Sequence, residues 1–180
     1  MQNYIPPFEI TNIMLERVSS IMKKIGGLEN YKDLNKMPVL RRNNRIKSIH
    51  SSLAIEANSL SLSQVKDVID GKLVIGPEKE IQEVKNAYNA YLKIKEVNPY
   101  SIKDLKEIHG IMTYLTTEES GKFRSTGEGV FDENGNCIHI CPPANQVEEL
   151  MEQLFNWMKE KKNEIHPLIL SSVFHYEFVF

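Results

Sequence analysis

The sequence predicts an all-α domain that carries one β-hairpin. Apolar residues recur every three or four positions through most of the chain, which is the period of amphipathic helices. Residues 121–143 are the exception, because glycines interrupt them and no helical period is present. Within that stretch two short apolar runs flank Asn134-Gly135, a strong signal for a two-residue hairpin turn. Two strands alone are marginal in water, so we expect the hairpin to lean on a helical body and to project a free edge.

Size and composition favour a soluble globular protein. The 180 residues are 41% hydrophobic and 26% charged, which suits one domain with a real core. The net charge of −2 argues against a nucleic-acid partner bound by bulk charge, and the basic cluster at residues 41–45 is better explained as a solvated helix face. No apolar run approaches the ~20 residues of a membrane span, so we expect no membrane partner. Two cysteines and no signal peptide predict a reducing, cytoplasmic location.

The N-terminal part is predicted to be an arm followed by a helix. Each proline in Tyr4-Ile5-Pro6-Pro7-Phe8 biases the preceding residue away from helix. Helical spacing over residues 10–25 predicts a first helix, which Gly26-Gly27 should end. Residues 28–37 are predicted to be a polar connector. We therefore assign residues 1–36 to the arm and helix, and residues 37–180 to the main domain.

Helix start and stop signals define the elements that precede the hairpin. A second helix is predicted over residues 38–56, with a proline tolerated in its first turn. A capping box at residues 61–64 opens a short helix, which Gly71 closes. Two further helices are predicted over residues 77–97 and 101–115.

Two helices are predicted after the hairpin. The first begins at about Asn145 and has a broad apolar face. The second begins at Pro167 and is apolar nearly all round, so it should be a central, buried helix. It reaches the end of the sequence without a cap, a glycine or a basic last turn. We therefore expect the sequence to be cut short there, and we expect the uncovered apolar surface to favour a homo-oligomer.

One carboxylate does not fit the pattern of the second helix. Ile46, Ile49 and Leu53 form an inward stripe, and Glu56 falls three residues past Leu53. It is predicted to lie close to the inward face, at the negative end of the helix dipole. A buried carboxylate needs a partner such as an arginine or a set of N–H donors. The alternative is a carboxylate at a helix end that turns out to water.

The segment Ser52-Leu53-Ala54-Ile55-Glu56-Ala57-Asn58 resembles the inhibitory-helix motif of the Fic family, (S/T)-x-x-x-E-(G/N). Ala57 departs from the usual Gly or Asn. Gly121-Lys122-Phe123-Arg124 is similar to the family's G-x-[FY]-R element before a hairpin flap, and residues 139–143 are similar to the segment after it. His175-Tyr176-Glu177-Phe178-Val179-Phe180 resembles the helix that leads into the Fic signature, H-P-F-x-(D/E)-G-N-G-R-x-x-R. That signature is not within residues 1–180.

The resemblance implies a Fic-type helical domain from which the C-terminal part is missing, with the inhibitory helix at about 38–57 and the flap at about 125–143. It implies a self-inhibited protein adenylyltransferase, a nucleotidyltransferase that binds ATP and Mg²⁺ and transfers AMP to a hydroxyl side chain of a target protein. In the family the signature supplies the catalytic base, the metal ligand and the phosphate cradle. No catalytic or metal-binding residue is therefore assigned within this chain, and the 180 residues alone are expected to be inactive.

The resemblance also assigns roles to residues that this chain does contain. Ser52 and Glu56 are the inhibitory residues, since the family's glutamate reaches an arginine that otherwise holds the γ-phosphate of ATP. The flap, whose edge can register a target peptide as an added strand, is expected to contact target or nucleotide. Its residues are Gly127, Glu128, Gly129, Val130 and Phe131. Plain hairpin packing is an equally open explanation for the two apolar members.

Other sites and functions are weaker hypotheses. A zinc site at Cys137-x-His139-x-Cys141 is disfavoured, because alternate residues of a strand lie ~6.6 Å apart and zinc ligands lie ~4 Å or less from one another. His109 is expected to be a core or surface histidine, and His175 a packed, hydrogen-bonded one. The rival functions are a non-catalytic helical interaction module and a Fic relative that transfers another phosphate-containing group. Whether the Fic signature follows Phe180 would best distinguish the module from the enzyme.

Overall fold

The structure is a computed structural model that describes residues 4–29 and 37–179. Within these residues it has seven helices and one two-stranded antiparallel sheet, so the predicted all-α fold with a hairpin is confirmed. The elements are α1 (Asn12–Glu29), α2 (Pro38–Ile55), α3 (Leu62–Ile69), α4 (Glu78–Lys93), α5 (Ile102–Met112), β1 (Gly129–Phe131), β2 (Cys137–Ile140), α6 (Ala144–Lys161) and α7 (Pro167–Val179). They form two compact units. One contains α2 to α4 and nearly all of α5, and the other contains the N-terminal arm, α1, the hairpin, α6 and α7.

The α2–α5 unit is organised around one hydrophobic cluster. Its buried members come from α2, α3, α4 and the α2–α3 loop: Ile46, Ile49, Leu53, Leu60, Val65, Val68, Val84 and Ala87. The predicted inward stripe of α2 is confirmed, because Ile46, Ile49 and Leu53 are the buried residues of that helix. Burial of one such aliphatic side chain contributes about 1.5–3 kcal/mol. This face is therefore what attaches α2 to α3 and α4.

Local sequence signals set most helix ends in this unit as predicted. The Ser61 Oγ accepts from the Gln64 N–H at 3.3 Å, and the Gln64 side chain accepts from the Ser61 N–H at 2.9 Å, which is the predicted capping box. Gly71, with φ of +74°, follows the end of α3. α5 ends at Met112, three residues earlier than predicted. There the Thr113 hydroxyl donates to the His109 carbonyl at 2.6 Å, a local bond that competes with helix continuation.

The second unit is built on α6 and α7, and the N-terminal arm docks on both. Phe8 meets Trp157 of α6 edge to face, with ring centroids 6.0 Å apart. The Tyr4 hydroxyl donates to Glu177 of α7. The buried residues of the two helices are Met151, Leu154, Phe155, Trp157, Met158, Ile169, Leu170 and Val173. The arm predicted from the two prolines is thus a packed segment of this unit.

Two helix predictions in this unit are wrong. α1 continues through Gly26 and Gly27 to Glu29. Neither glycine has a neighbouring group that a side chain would meet, so each costs only the ~1 kcal/mol of glycine in a helix. α7 is not buried all round, because it buries one face on α6 and leaves Tyr176, Phe178 and Val179 exposed. His175 is exposed rather than packed.

Two more predictions concern the connector after α1 and membrane-spanning helices. Most of the predicted polar connector, residues 30–36, lies outside the described residues. Among the helices that the structure describes, none is both long enough and apolar enough to cross a membrane.

Candidate functional site

The segment that ends α2 closes the helix with a left-handed residue. The Ala57 N–H donates to the Ala54 carbonyl at 3.2 Å and the Asn58 N–H donates to the Leu53 carbonyl at 3.0 Å, which is the Schellman arrangement. Ala57 has φ of 62°, a conformation that costs a residue with a Cβ roughly 1–2 kcal/mol. The alanine that departs from the Fic motif therefore stands where glycine or asparagine is favoured.

Glu56 is the C-cap residue of α2 and is exposed, as is Ser52 one turn before it. The prediction that Glu56 lies close to the inward face is wrong. The helix ends at Ile55, and at Glu56 the backbone turns to φ −87° and ψ 21°, so the carboxylate leaves the stripe formed by Ile49 and Leu53. The alternative, a carboxylate that turns out to water, describes its position. An exposed carboxylate at a helix end is accessible to a cationic group from another segment.

Asn58 fixes the end of this segment on α4. Its side chain is only 8% exposed. Its Nδ2 donates to the Glu80 carbonyl at 3.1 Å and to the Glu83 carboxylate at 2.9 Å. Its Oδ1 accepts from the Leu60 N–H at 3.2 Å. Every polar atom of the amide is thus used, as a buried amide requires.

The next residue adds a second attachment to the same helix. The Ser59 N–H and hydroxyl both donate to the Glu80 carboxylate, at 2.7 and 2.8 Å. Sequence reasoning missed the role of Asn58 and of both glutamates. The available signal was an asparagine three residues past the end of α2, together with Glu80 and Glu83 at helical spacing on the first two turns of α4.

The hairpin is present, but its turn differs from the predicted type. The Asp132 N–H donates to the Asn136 carbonyl at 2.9 Å, so the loop has three residues, 133–135, rather than two. Asn134 is not in the left-handed region that a two-residue turn of this kind needs at both positions, whereas Gly135 is, with φ of 81°. The prediction missed a carboxylate that organises a wider loop.

That carboxylate belongs to Asp132. Its Oδ1 accepts from the backbone N–H groups of Asn134 and Asn136 at 2.9 and 2.8 Å. Its Oδ2 accepts from the side-chain Nδ2 of Asn136 at 2.9 Å. The Asn136 side-chain bond, followed by these backbone bonds, lowers the pKa of Asp132 below its usual 3.8. The loop is therefore ordered around an ionised carboxylate at neutral pH.

The strands themselves are short and carry exposed apolar side chains. Val130 is 51% exposed and Phe131 is 61% exposed, which disfavours plain packing as their explanation. At Gly129 a Cβ would lie 2.9 Å from the His139 carbonyl, so the pairing requires glycine. Among the described residues the sheet contains only β1 and β2, and each therefore has an outer edge without a strand neighbour. The predicted free edge is present.

Arg124 joins the two ends of the hairpin segment. Its Nη1 donates to the Thr126 carbonyl at 2.9 Å, and its Nη2 donates to the Pro142 carbonyl. The planar guanidinium suits this bridge, because it presents several N–H donors in a fixed geometry. The arginine of the G-x-F-R element thus joins the two ends of the hairpin segment, a role that its sequence position alone did not reveal.

The first residue of the same element is fixed separately, on α5. Gly121 has φ of +72°, and a Cβ on it would lie 3.4 Å from Gly110. Its N–H donates to the His109 Nδ1 at 3.1 Å. His109 is therefore a half-buried, hydrogen-bonded structural residue, which agrees with the core-or-surface prediction.

The described residues do not form a metal site. No group of three His, Cys, Asp or Glu side chains in residues 4–29 and 37–179 could hold a metal ion. Cys137 and Cys141 are free thiols, and the Cys137 Sγ donates to the His139 carbonyl at 3.4 Å.

Comparisons with known proteins agree on one family. Residues 99–180 match the model of the Fic/DOC family. A Fic family protein from Desulfovibrio desulfuricans has a solved structure similar to this one, with a TM-score of 0.89 and 40% sequence identity. That match covers 97% of this chain and 53% of the other.

The named relatives are adenylyltransferases. Protein adenylyltransferase Fic of Nematostella vectensis is 29% identical over 142 residues, which are 73% of this chain and 32% of the relative. Protein adenylyltransferase fic-1 of Caenorhabditis elegans is 25% identical over 177 residues, 92% of this chain and 33% of the relative. The chain thus spans about a third of the length of these relatives. The helical fold, the hairpin after the G-x-F-R element and these matches together support the identification of the chain with the Fic/DOC family.

Proposed function

We propose that the protein containing these residues is a self-inhibited protein adenylyltransferase, which transfers AMP from ATP to a hydroxyl side chain of a target protein. The observation that carries the proposal is the position of Glu56. Glu56 caps the end of α2, and the buried face of α2 holds this helix in place. The Glu56 side chain is nevertheless exposed. The names of the relatives support the reaction class.

At the α-phosphorus the reaction forms one bond and breaks one. The target hydroxyl oxygen bonds to the α-phosphorus of ATP, and the bond from that phosphorus to the bridging oxygen of pyrophosphate breaks. The hydroxyl proton passes to a base, and pyrophosphate leaves. In the proposal the Fic signature supplies the base and the metal ligand, and the residues of this chain regulate and position.

Ser52 and Glu56 are the proposed brake, carried by an inhibitory segment at residues 38–57. The exposed carboxylate pairs with an arginine that otherwise orients the γ-phosphate. Charge-assisted pairs of arginine and carboxylate are strong and directional, so the occupied arginine is withdrawn from ATP. Nucleotide then binds with its α-phosphate out of line for attack, and a displacement of about 1 Å costs on the order of a hundredfold in rate.

The proposed flap spans residues 125–143, and its residues 127–131 contact target or nucleotide. Its sheet has an outer edge without a strand neighbour among the described residues, to which an extended target segment can be added as a strand. Val130 and Phe131 are exposed beside that edge and provide apolar contact area. The bridge made by Arg124 holds the two ends of the segment together, so the strand edge is presented in a fixed register.

Three further properties of the protein are also proposals: its nucleotide substrate, its location and its oligomeric state. We propose ATP with Mg²⁺ as the nucleotide substrate, a cytoplasmic location and self-association of the protein. The exposed apolar residues Tyr176, Phe178 and Val179 of α7 support self-association, since such patches mark interaction surfaces. Light scattering of the full protein at micromolar concentration tests it, and a clean monomer would contradict it.

The function is tested by following the two ends of ATP separately. The full protein, with the Fic signature that the proposal requires, is incubated with Mg²⁺, candidate target proteins and ATP labelled at either the α- or the γ-phosphorus. We expect label on a protein hydroxyl from α-labelled ATP only. Transfer from γ-labelled ATP would indicate phosphoryl transfer, and no transfer by either the wild type or the Glu56→Gly variant would favour the non-catalytic interaction module.

A further inference from the structure

We infer that Asn58 is a positioning residue for Glu56, so that regulation depends on the contact between Asn58 and α4 as well as on the glutamate itself. The inference rests on the proposed function, because it concerns the same brake. The side chain of Glu56 is exposed, so burial does not hold it. An inhibitory carboxylate must nevertheless be held in one place. The backbone that follows Glu56 supplies the missing restraint.

The cap geometry transmits this restraint over two residues. Glu56 has left helical angles, and its N–H donates to the Leu53 carbonyl at 3.0 Å. Ala57 is held at φ of 62°, which an alanine adopts only when its surroundings over-determine it. Asn58 directly follows this strained alanine, and its N–H donates to the Leu53 carbonyl at 3.0 Å. A fixed Asn58 thus keeps Ala57 left-handed and Glu56 at the cap.

Asn58 itself is fixed by contacts outside the helix that bears Glu56. Its Nδ2 bridges the Glu80 carbonyl and the Glu83 carboxylate of α4, and its Oδ1 receives the Leu60 N–H. Only an amide of this length offers two donors and one acceptor at these places. An aspartate would lose both donors and would place a second carboxylate beside Glu83.

The buried stripe of α2 should confine the effect of an Asn58 substitution to the end of the helix. Ile46, Ile49 and Leu53 hold the helix in the core, so loss of the Asn58 contacts should release the cap without detaching α2. The carboxylate of Glu56 would then sample several positions, and its pairing with a cation would weaken. Asn58→Ala should therefore raise AMP transfer, whereas loss of a merely structural contact would leave transfer unchanged or lower it.

Asn86 offers a matched control. It is also a buried asparagine, 2% exposed, and its Nδ2 donates to the carbonyls of Met112 and Tyr114 at 3.1 and 2.7 Å. These contacts tie α4 to the end of α5 and do not include the cap of α2. Asn86→Ala should cost comparable stability without releasing Glu56.

The test uses the full protein and measures AMP transfer from α-labelled ATP at equal folded concentration. We expect Asn58→Ala to raise transfer by roughly fivefold or more, the low end of usual regulatory couplings, and Asn86→Ala not to raise it. Added to Glu56→Gly, Asn58→Ala should give no further rise. An equal rise with Asn86→Ala, a further rise in the Glu56→Gly background, or no rise with Asn58→Ala where Glu56→Gly gives one would overturn the inference.

A second measurement separates this inference from the proposed function. Amide hydrogen exchange at residues 56–58 reports the cap directly, whether or not the protein transfers AMP. We expect faster exchange there in Asn58→Ala and unchanged exchange in Asn86→Ala. Unchanged exchange in Asn58→Ala would contradict the positioning role, whereas failure of both the wild type and Glu56→Gly to transfer AMP would contradict only the proposed function.

A milder pair of variants keeps the test usable if Asn58→Ala does not fold. Glu83→Ala removes one acceptor of Asn58, whereas Glu83→Gln keeps an oxygen for it. We expect Glu83→Ala to raise transfer and cap exchange in the direction of Asn58→Ala, and Glu83→Gln to stay near wild type. Identical behaviour of the two variants would count against the positioning contact.

Discussion

The Arg124 guanidinium is bonded to the Pro142 carbonyl across the base of the hairpin segment, eighteen positions along the chain. The same side chain holds the Thr126 carbonyl. Hydrogen bonds that involve a charged group contribute about 1.5–3 kcal/mol, and the bond to Pro142 is the partly buried one of the two. One side chain therefore orders both ends of a segment whose two short strands would be marginal alone.

The first prediction concerns this bridge. Arg124→Ala should loosen residues 125–143 while the helices stay folded, because it removes both bonds at once. Arg124→Lys should be nearly as damaging, since an ammonium lacks the planar fork that reaches two carbonyls. Limited proteolysis should cut both variants faster within residues 127–135 than the wild type. First cuts within residues 145–175 in the variants would show that the arginine supports α6 or α7 instead.

The second prediction concerns the strained cap residue. Ala57→Gly should stabilise the protein by about 1 kcal/mol, because glycine adopts positive φ without the steric cost of a Cβ. For a protein of this size that corresponds to a rise in Tm of roughly 2–4 °C per kcal/mol. A thermal scan tests it, with Ala54→Gly inside α2 as the control that should destabilise. A lower Tm for Ala57→Gly would mean that Ala57 is not left-handed.

The third prediction concerns acid pH and the hairpin loop. The folded pKa of Asp132 is lowered below 3.8 by hydrogen bonds that its ionised form accepts, so this contribution to loop order is present above the unfolded pKa. It is lost as the pH falls through the lower, folded pKa. The NMR shifts of the Asn134 and Asn136 amides should titrate together below pH 3.8. Asp132→Asn should abolish that step, and a step that persists in the variant would assign it to another group.

The fourth prediction concerns alkaline pH and the N-terminal arm. Burial, aided by the hydrogen bond to Glu177 and the negative charge of Glu177, raises the pKa of Tyr4 to about 12. A raised folded pKa means that the stabilising contact is complete below the usual 10.0 and is lost as the pH rises through the folded value. Phe8, four residues on, packs on Trp157, the single tryptophan. Tryptophan fluorescence should therefore change at high pH in the wild type.

Tyr4→Phe is the control for that measurement. It lacks the ionisable hydroxyl, so its fluorescence at neutral pH should already show part of the change, and the alkaline step should be smaller. An identical alkaline step in both proteins would mean that the arm does not respond to Tyr4.

The helices and the hairpin were predictable because local signals and tertiary packing agree in them. The α2 stripe, the capping box of α3 and the glycine after it each specify one structure. The turn type was not predictable from the local sequence. The Asp132 carboxylate accepts hydrogen bonds from the N–H groups of residues 134 and 136, and these bonds outweigh the preference of Asn-Gly for a two-residue turn. The all-apolar pattern of α7 likewise did not reveal which face would be covered.

The sequence pointed to candidate residues for the site, but it did not predict their geometry. Spacing placed Glu56 on the inward face because it extends an ideal helix by one residue, whereas the real helix ends at Ile55. That end depends on a left-handed alanine and on an asparagine bound to the next helix but one. Neither is a property of the local sequence period.

The most direct test of the proposed brake is AMP transfer by Glu56→Gly in the full protein. Glu96→Gly is the matched control, because Glu96 is also an exposed glutamate just past a helix end, that of α4. Ser52→Ala should act in the same direction as Glu56→Gly, but less. We expect Glu56→Gly to raise incorporation of the α-label by on the order of a hundredfold, and Glu96→Gly to leave it unchanged. Equal or lower incorporation by Glu56→Gly would contradict the proposal that Glu56 restrains the enzyme.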